Sequence, residues 1–307
     1  MTTVPDIVVT LGPCDDMRAE VFLRPADEAP SGTRLVGSVT GPRRGRDTTL
    51  PVTSRLIPLA EATAAGPASR VILTEPAYWT PDLPNLYRVE ARLEPAAGAA
   101  ATVDAWIGLR RLGVRGRSFW LDGRRWVPRA IVGLRDVAAA RAAAVGLASA
   151  SPTAELLTAT DELGVAVLPL LDAESLAVPR IAALARHPSA MLVVITADAS
   201  PETIAARIAA VRRAKGTLLI GVAVDGTRPP PAGGEGGDFL AVTLPAGRLP
   251  HDGWRSPPAQ PLVAWRREAD VAAPRAACDS LQRDLALWRL ADGGDMSPWD
   301  WAGYLVG

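Results

Sequence analysis

Phe119-Trp-Leu-Asp-Gly-Arg-Arg-Trp-Val-Pro-Arg129 is where the sequence changes period. Before it, apolar and charged residues alternate one by one: Tyr87, Val89, Ala91 and Leu93 interleave with Arg88, Glu90, Arg92 and Glu94. A period of two puts the first set on one face of a strand and the second in water. Val103, Ala105, Ile107 and Leu109 repeat the pattern, as do Ala19, Val21 and Leu23. Seven such strands, at 6–12, 18–25, 33–40, 48–59, 69–76, 85–95 and 101–112, predict an immunoglobulin-like β-sandwich over residues 1–115. Inside the quoted stretch, Asp122-Gly123 reads as a tight hairpin turn.

After residue 126, wholly apolar runs alternate with Ala-rich segments, as βα units on a parallel sheet require. Strands are expected near 126–132, 143–148, 165–170, 191–196, 217–223, 238–243, 261–265 and 284–290. Helices are expected at 136–143, 153–163, 174–186, 200–214 and 270–282; in the fourth, Ile204, Ile208 and Val211 share one face. Eight strands with five helices predict a reduced (β/α)8 TIM barrel over 116–307. The outer helices are missing at 225–237 and 244–259, where Pro and Gly exclude a regular helix, and a last helix has no room after the eighth strand.

Composition narrows the function. Lys+Arg 33 against Asp+Glu 33 leaves no global field to draw nucleic acid or an anionic membrane, so neither is expected as a partner. Cys14 and Cys278 are far apart, and the only histidines are His187 and His251, so no metal site and no cofactor are expected. The first residues lack the basic and apolar regions of a signal peptide, and no run approaches a membrane span, which makes a cytoplasmic location the expectation. Neither a phosphate-binding loop, nor a dinucleotide fingerprint, nor a nucleophile elbow is present.

Several runs together resemble family 2 glycoside hydrolases, the β-galactosidases, β-glucuronidases and β-mannosidases. They are Trp79-Thr-Pro-Asp-Leu-Pro84-Asn-Leu-Tyr87, Ile107-Gly-Leu-Arg110, the hairpin Phe119–Arg129, Asp161-Glu-Leu-Gly-Val165 and Arg186-His-Pro-Ser189. In that family a WxPxxPxLY strand precedes a GFR segment, an FxLNGxPxxLRG hairpin leads into the barrel, and DExGxxV and NHPS precede the third and fourth barrel strands. The resemblance runs from about residue 70 onward and implies a chain that starts at the sandwich, without the family's amino-terminal sugar-binding domain.

The catalytic positions depart from the pattern. Retaining hydrolysis needs two carboxyl groups about 5 Å apart. Laying the family's HPSxxxWSxxNE on His187–Asp198 puts Asp198 at the acid/base glutamate, and laying KPxxxxE on Gln260–Arg266 puts Arg266 at the nucleophile. A guanidinium cannot attack an anomeric carbon. The resemblance therefore implies a non-catalytic scaffold that binds a carbohydrate ligand or a protein partner. In the rival reading, an active glycosidase uses Asp198 as acid/base and Glu268, two residues further on, as nucleophile. In a third, the protein is a structural partner whose Pro/Gly loops and an exposed Trp254 dock on another chain.

Arg266, Trp265, His187 and Trp288 are candidate binding residues, Trp288 by resemblance to an eighth-strand sugar platform. As plain packing, Trp79 and Tyr87 are core aromatics, His187 anchors a loop, and Trp288 is equally a core residue. Arg135, Asp136, Asp172, Asp225 and Asp292 complete the polar groups at strand ends, with helix capping the simpler reading for Asp136 and Asp172.

Overall fold

The computed structural model describes residues 7–25, 29, 32–45, 47–59, 68–196, 199–231, 236–291 and 299–307. Asp198 and Asp292 lie outside them.

Eight strands come first: β1 (Ile7–Cys14), β2 (Arg18–Pro25), β3 (Arg34–Arg44), β4 (Asp47–Arg55), β5 (Ile57–Pro58), β6 (Ser69–Thr74), β7 (Leu86–Glu94) and β8 (Ala101–Ile107). They form two four-stranded antiparallel sheets, β1-β2-β6-β5 and β4-β3-β7-β8. The alternation read from β7 is the alternation observed: Tyr87, Val89, Ala91 and Leu93 are buried with Val21, Leu23, Leu35 and Val71 between the sheets.

The period change falls on a three-stranded meander, β9 (Leu112–Arg115), β10 (Ser118–Leu121) and β11 (Arg124–Trp126). Asp122 and Gly123 have φ of 49° and 75°, the pair of positive values that a two-residue hairpin turn needs. The turn presents Phe119, fully buried, edge-on to Phe239 at 5.4 Å between ring centres.

Eight parallel strands then close a barrel in chain order: β12 (Arg129–Val132), β13 (Gly146–Ser149), β14 (Val167–Asp172), β15 (Leu192–Thr196), β16 (Leu219–Asp225), β17 (Phe239–Pro245), β18 (Leu262–Arg267) and β19 (Gly303–Val306). Large and small residues alternate inside it. A Cβ on Gly221 would fall 2.3 Å from the Phe239 ring, so a glycine on β16 makes room for the aromatic on β17. Phe119, Phe239 and Trp265 fill this interior, and the barrel is a packed core rather than a pore.

The helices are α1 (Val137–Ala142), α2 (Ala154–Leu163), α3 (Val178–Ala185), α4 (Pro201–Val211) and α5 (Pro274–Leu290). Asp136 caps α1 and Thr153 caps α2 through side-chain oxygens, satisfying amides that the first turn leaves open.

Three expectations are corrected. The run expected as one strand over 48–59 is two, β4 and β5, in different sheets, so the sandwich has eight strands rather than seven. Residues 284–290 are not the eighth strand but the second half of α5; the strand is β19. Cys278, Leu281, Leu285 and Trp288 are the buried residues of α5, a spacing of three and four that is helical, and the short apolar run Leu285–Trp288 does not by itself distinguish the two periods. Trp254 is not an exposed docking residue. It sits fully buried on a 3-10 turn, Asp252–Arg255, with Nε1 donating to the Arg228 carbonyl at 2.8 Å. It belongs to the same buried cluster as Val222, Val242 and Leu244, so the loop adds to the burial on the outside of the barrel.

Candidate functional site: the carboxyl-terminal mouth of the barrel

In a parallel barrel, side chains that follow the inward series at the strand ends line the mouth. Leu170, Val194, Ala223, Ala241 and Trp265 belong to the inner core. Two residues on, alternation brings Asp172, Thr196, Asp225, Thr243 and Arg267 to the same side. Neighbouring members are in register, Asp172 with Thr196 and Asp225 with Thr243.

The two aspartates are spoken for by their own loops. Asp172 accepts the Ser175 amide at 2.6 Å, and its carboxyl is held below the usual range chiefly by bonding to the Ser175 side chain. Asp225 accepts the Thr227 hydroxyl at 2.6 Å and amide at 2.9 Å, which likewise lowers it. A general acid needs a raised pKa, so neither carboxyl is tuned to protonate a leaving group.

Strand β18 decides the other half of the site. Val263 and Trp265 face the inner core, whereas Leu262 and Ala264 face the helices, so Arg266 also faces outward. Its Nη1 donates to Asp284 of α5 at 2.9 Å, and Nε lies 3.5 Å from Glu268. Glu268 is thereby drawn toward Arg266. The residue that continues the inward series is Arg267, whose guanidinium stacks 3.8 Å above the Trp265 ring and whose pKa is lowered by desolvation. Trp265 is buried, with Nε1 donating to the Gly307 carbonyl at 3.0 Å.

The remaining candidates are elsewhere. Trp288 lies on α5, buried at 6% exposure under the Arg255 guanidinium, which sits 4.8 Å from its ring centre. His187 lies between α3 and β15, at the opposite end of the barrel from the mouth. There its Nδ1 bonds Asp161 Oδ2 at 2.7 Å, and Asp161 Oδ1 accepts the Ser189 amide at 2.9 Å. Arg110, buried and pushed down to about 10 by that burial, donates Nη1 to the carbonyls of His187, Pro188 and Ala190 and Nε to Thr217 at 2.7 Å. Trp79 Nε1 reaches the Asp161 carbonyl at 2.9 Å. The runs at Trp79, Arg110, Asp161 and His187 thus join sandwich to barrel. Their glycines are needed for the same contact: a Cβ on Gly164, at φ 69°, would lie 2.2 Å from the Pro81 carbonyl oxygen, and one on Gly108 would lie 2.5 Å from Pro188.

Reading by residue count alone missed Arg267, Thr196 and Thr243; strand parity is the signal that finds them. Among the described residues, no group of three or more His, Cys, Asp or Glu side chains is placed to hold a metal ion, and no helix is long and apolar enough to cross a membrane.

No protein-family model matches the chain, and no curated protein sequence matches it. Solved structures do. A β-D-glucuronidase for Dictyoglomus thermophilum aligns at TM-score 0.66 and 14% identity over 99% of this chain and 61% of its own. A putative β-galactosidase from Bacteroides fragilis aligns at 0.65 and 13% over 97% and 54%. A glycosyl hydrolase family 2 member from Bacteroides cellulosilyticus aligns at 0.64 and 15% over 98% and 43%. The chain has the fold of family 2 glycoside hydrolases. It spans about half the length of these structures, and at such identities the likeness is one of architecture.

Proposed function

We propose that the protein is a non-catalytic relative of family 2 glycoside hydrolases whose barrel mouth binds a carbohydrate. One observation carries the reading: the mouth position on β18 is occupied by Arg267, stacked on Trp265, while Glu268 is engaged with the outward-facing Arg266. A guanidinium beside the anomeric carbon would oppose the positive charge of an oxocarbenium-like transition state. The same surface suits neutral polyols. Thr196, Thr243, Asp172, Asp225 and Arg267 bring hydroxyl, carboxylate and guanidinium groups to one end of the barrel, the kinds of group that orient a polyol. We assign residues 1–115 to the sandwich and 116–307 to the barrel, because Phe119 packs with the barrel interior.

Titration with a panel of mono- and disaccharides, read by tryptophan fluorescence and calorimetry, tests the binding reading. Saturable binding that Arg267→Ala weakens about tenfold supports it, the loss of one charge-assisted contact being about 1.5–3 kcal/mol. Absence of binding across the panel contradicts it. A protein partner is the second reading, favoured by Leu249 and Leu287, 48% and 62% exposed, in the groove beside Arg266 that the trimmed outer ring leaves open.

A further inference from the structure

Arginines gather at the other end of the barrel. A cleft of about 520 Å³ opens between the β10–β11 hairpin, the amino-terminal ends of β12–β14 and the first turn of α5. Five arginines line it, Arg124, Arg125, Arg129, Arg141 and Arg275, against two aspartates, Asp82 and Asp122. The counter-charges are unevenly shared. Arg129 and Arg275 both bond Asp279, Arg125 bonds Asp300 at 3.4 Å, and Asp122 is taken by Arg111. Among the described residues Arg141 bonds the carbonyls of Pro81 and Gly164. Among the described residues Arg124 and Arg141 have no carboxylate partner.

Asp82, also without an ion-pair partner among the described residues, offsets one of these two charges; the cleft keeps a positive surplus, and two planar forks of N–H donors match an oxyanion two bonds at a time. The surroundings agree. Helix α5 has seventeen residues, Ala273 at its N-cap makes no side-chain bond, and its first turn carries no acidic residue, so its positive end is uncompensated beside the cleft. The half-buried Trp126 and the buried Val145 add an apolar wall. The cleft's volume is that of a small-ligand pocket, and the zero net charge gives no long-range pull on a polymer.

We propose that this cleft binds a small organic phosphomonoester, its dianionic oxygens shared by Arg124 and Arg141 and its body against Trp126. The site is separate from the mouth and independent of whatever the mouth binds.

Isothermal titration of the full chain with phenyl phosphate, inorganic phosphate and benzoate tests the site. Phenyl phosphate should bind saturably at one site, more tightly than inorganic phosphate, which lacks a ring for Trp126, and about tenfold more tightly than the monoanion benzoate. Arg124→Ala should weaken it about tenfold, Arg124→Lys less, and added salt should weaken it further. Arg141→Ala should do the same; because it also frees two carbonyls, the exposed Arg124 carries the test if that variant fails to fold. Arg92→Ala, on the sandwich, should leave binding unchanged. No saturable binding of phenyl phosphate, undiminished binding in Arg124→Ala, or benzoate binding as tightly as phenyl phosphate would each overturn the proposal.

Discussion

His187 donates Nδ1–H to Asp161 Oδ2 at 2.7 Å, and this pair, rather than any catalytic contact, is what the Arg186-His-Pro-Ser189 motif builds. The second carboxylate oxygen of Asp161 holds the Ser189 amide, while Arg110 ties the carbonyls of the same loop. Asp161→Ala strands a buried amide and an imidazole N–H together, so it should cost about 2–4 kcal/mol of unfolding free energy. His187→Ala should cost about 1 kcal/mol, because the histidine is half-buried and water can replace it. Chemical denaturation of the two variants checks the order; equal losses would contradict the arrangement.

Gly164 ends α2 in the left-handed region and meets the Pro81 carbonyl oxygen where a Cβ would stand. Gly164→Ala therefore adds both backbone strain and a clash at the sandwich–barrel contact, and about 2–4 kcal/mol of destabilisation is expected. Gly123→Ala, with φ 75° but open space around it, should cost about 1 kcal/mol, the strain alone. A comparison of the two melting temperatures separates clash from strain.

Trp254 adds burial on the outside of the barrel from a loop. Trp254→Ala removes a fully buried indole and the bond to Arg228, and about 3–5 kcal/mol should be lost. Trp254→Phe should recover most of the packing and forfeit the hydrogen bond. A surface role would leave both variants as stable as the parent.

Cys278 is buried on α5, with Sγ 3.7 Å from the Ala130 carbonyl, and burial pushes its thiol from 9.0 up to about 12. The folded state prefers the neutral thiol. Its contribution to stability is fully present below the unfolded value and is lost as pH rises toward about 12. Thiol labelling at mildly alkaline pH should modify Cys14, which is half-buried, before Cys278, and modify Cys278 at the rate of unfolding. Rapid labelling of Cys278 in the folded protein would contradict its burial.

How much of this was legible in the sequence depends on the kind of signal. The β7 alternation and the Asp122-Gly123 turn are local, and that strand's buried face and the hairpin follow from them; the division of 48–59 between two sheets is not a local signal. Seven of the eight barrel strands are apolar runs bounded by turn residues, and they were legible for that reason. The eighth was not: β19 is four residues long, and the richer apolar run before it belongs to α5. Residue counting along a motif carried Arg266 to the nucleophile position but carries no face. One step along a strand reverses the side a residue looks to, and it is Arg267 that continues inward. Trp254 was misread because a Pro/Gly-rich segment signals a loop without saying what the loop covers.

Hydrolysis of a panel of aryl α- and β-glycosides by the purified protein, beside Asp198→Ala and Glu268→Ala, tests the central claim directly. A non-catalytic mouth predicts no turnover above that of the two variants. Turnover that either substitution abolishes would contradict it and make the protein a glycosidase with a rearranged carboxylate pair.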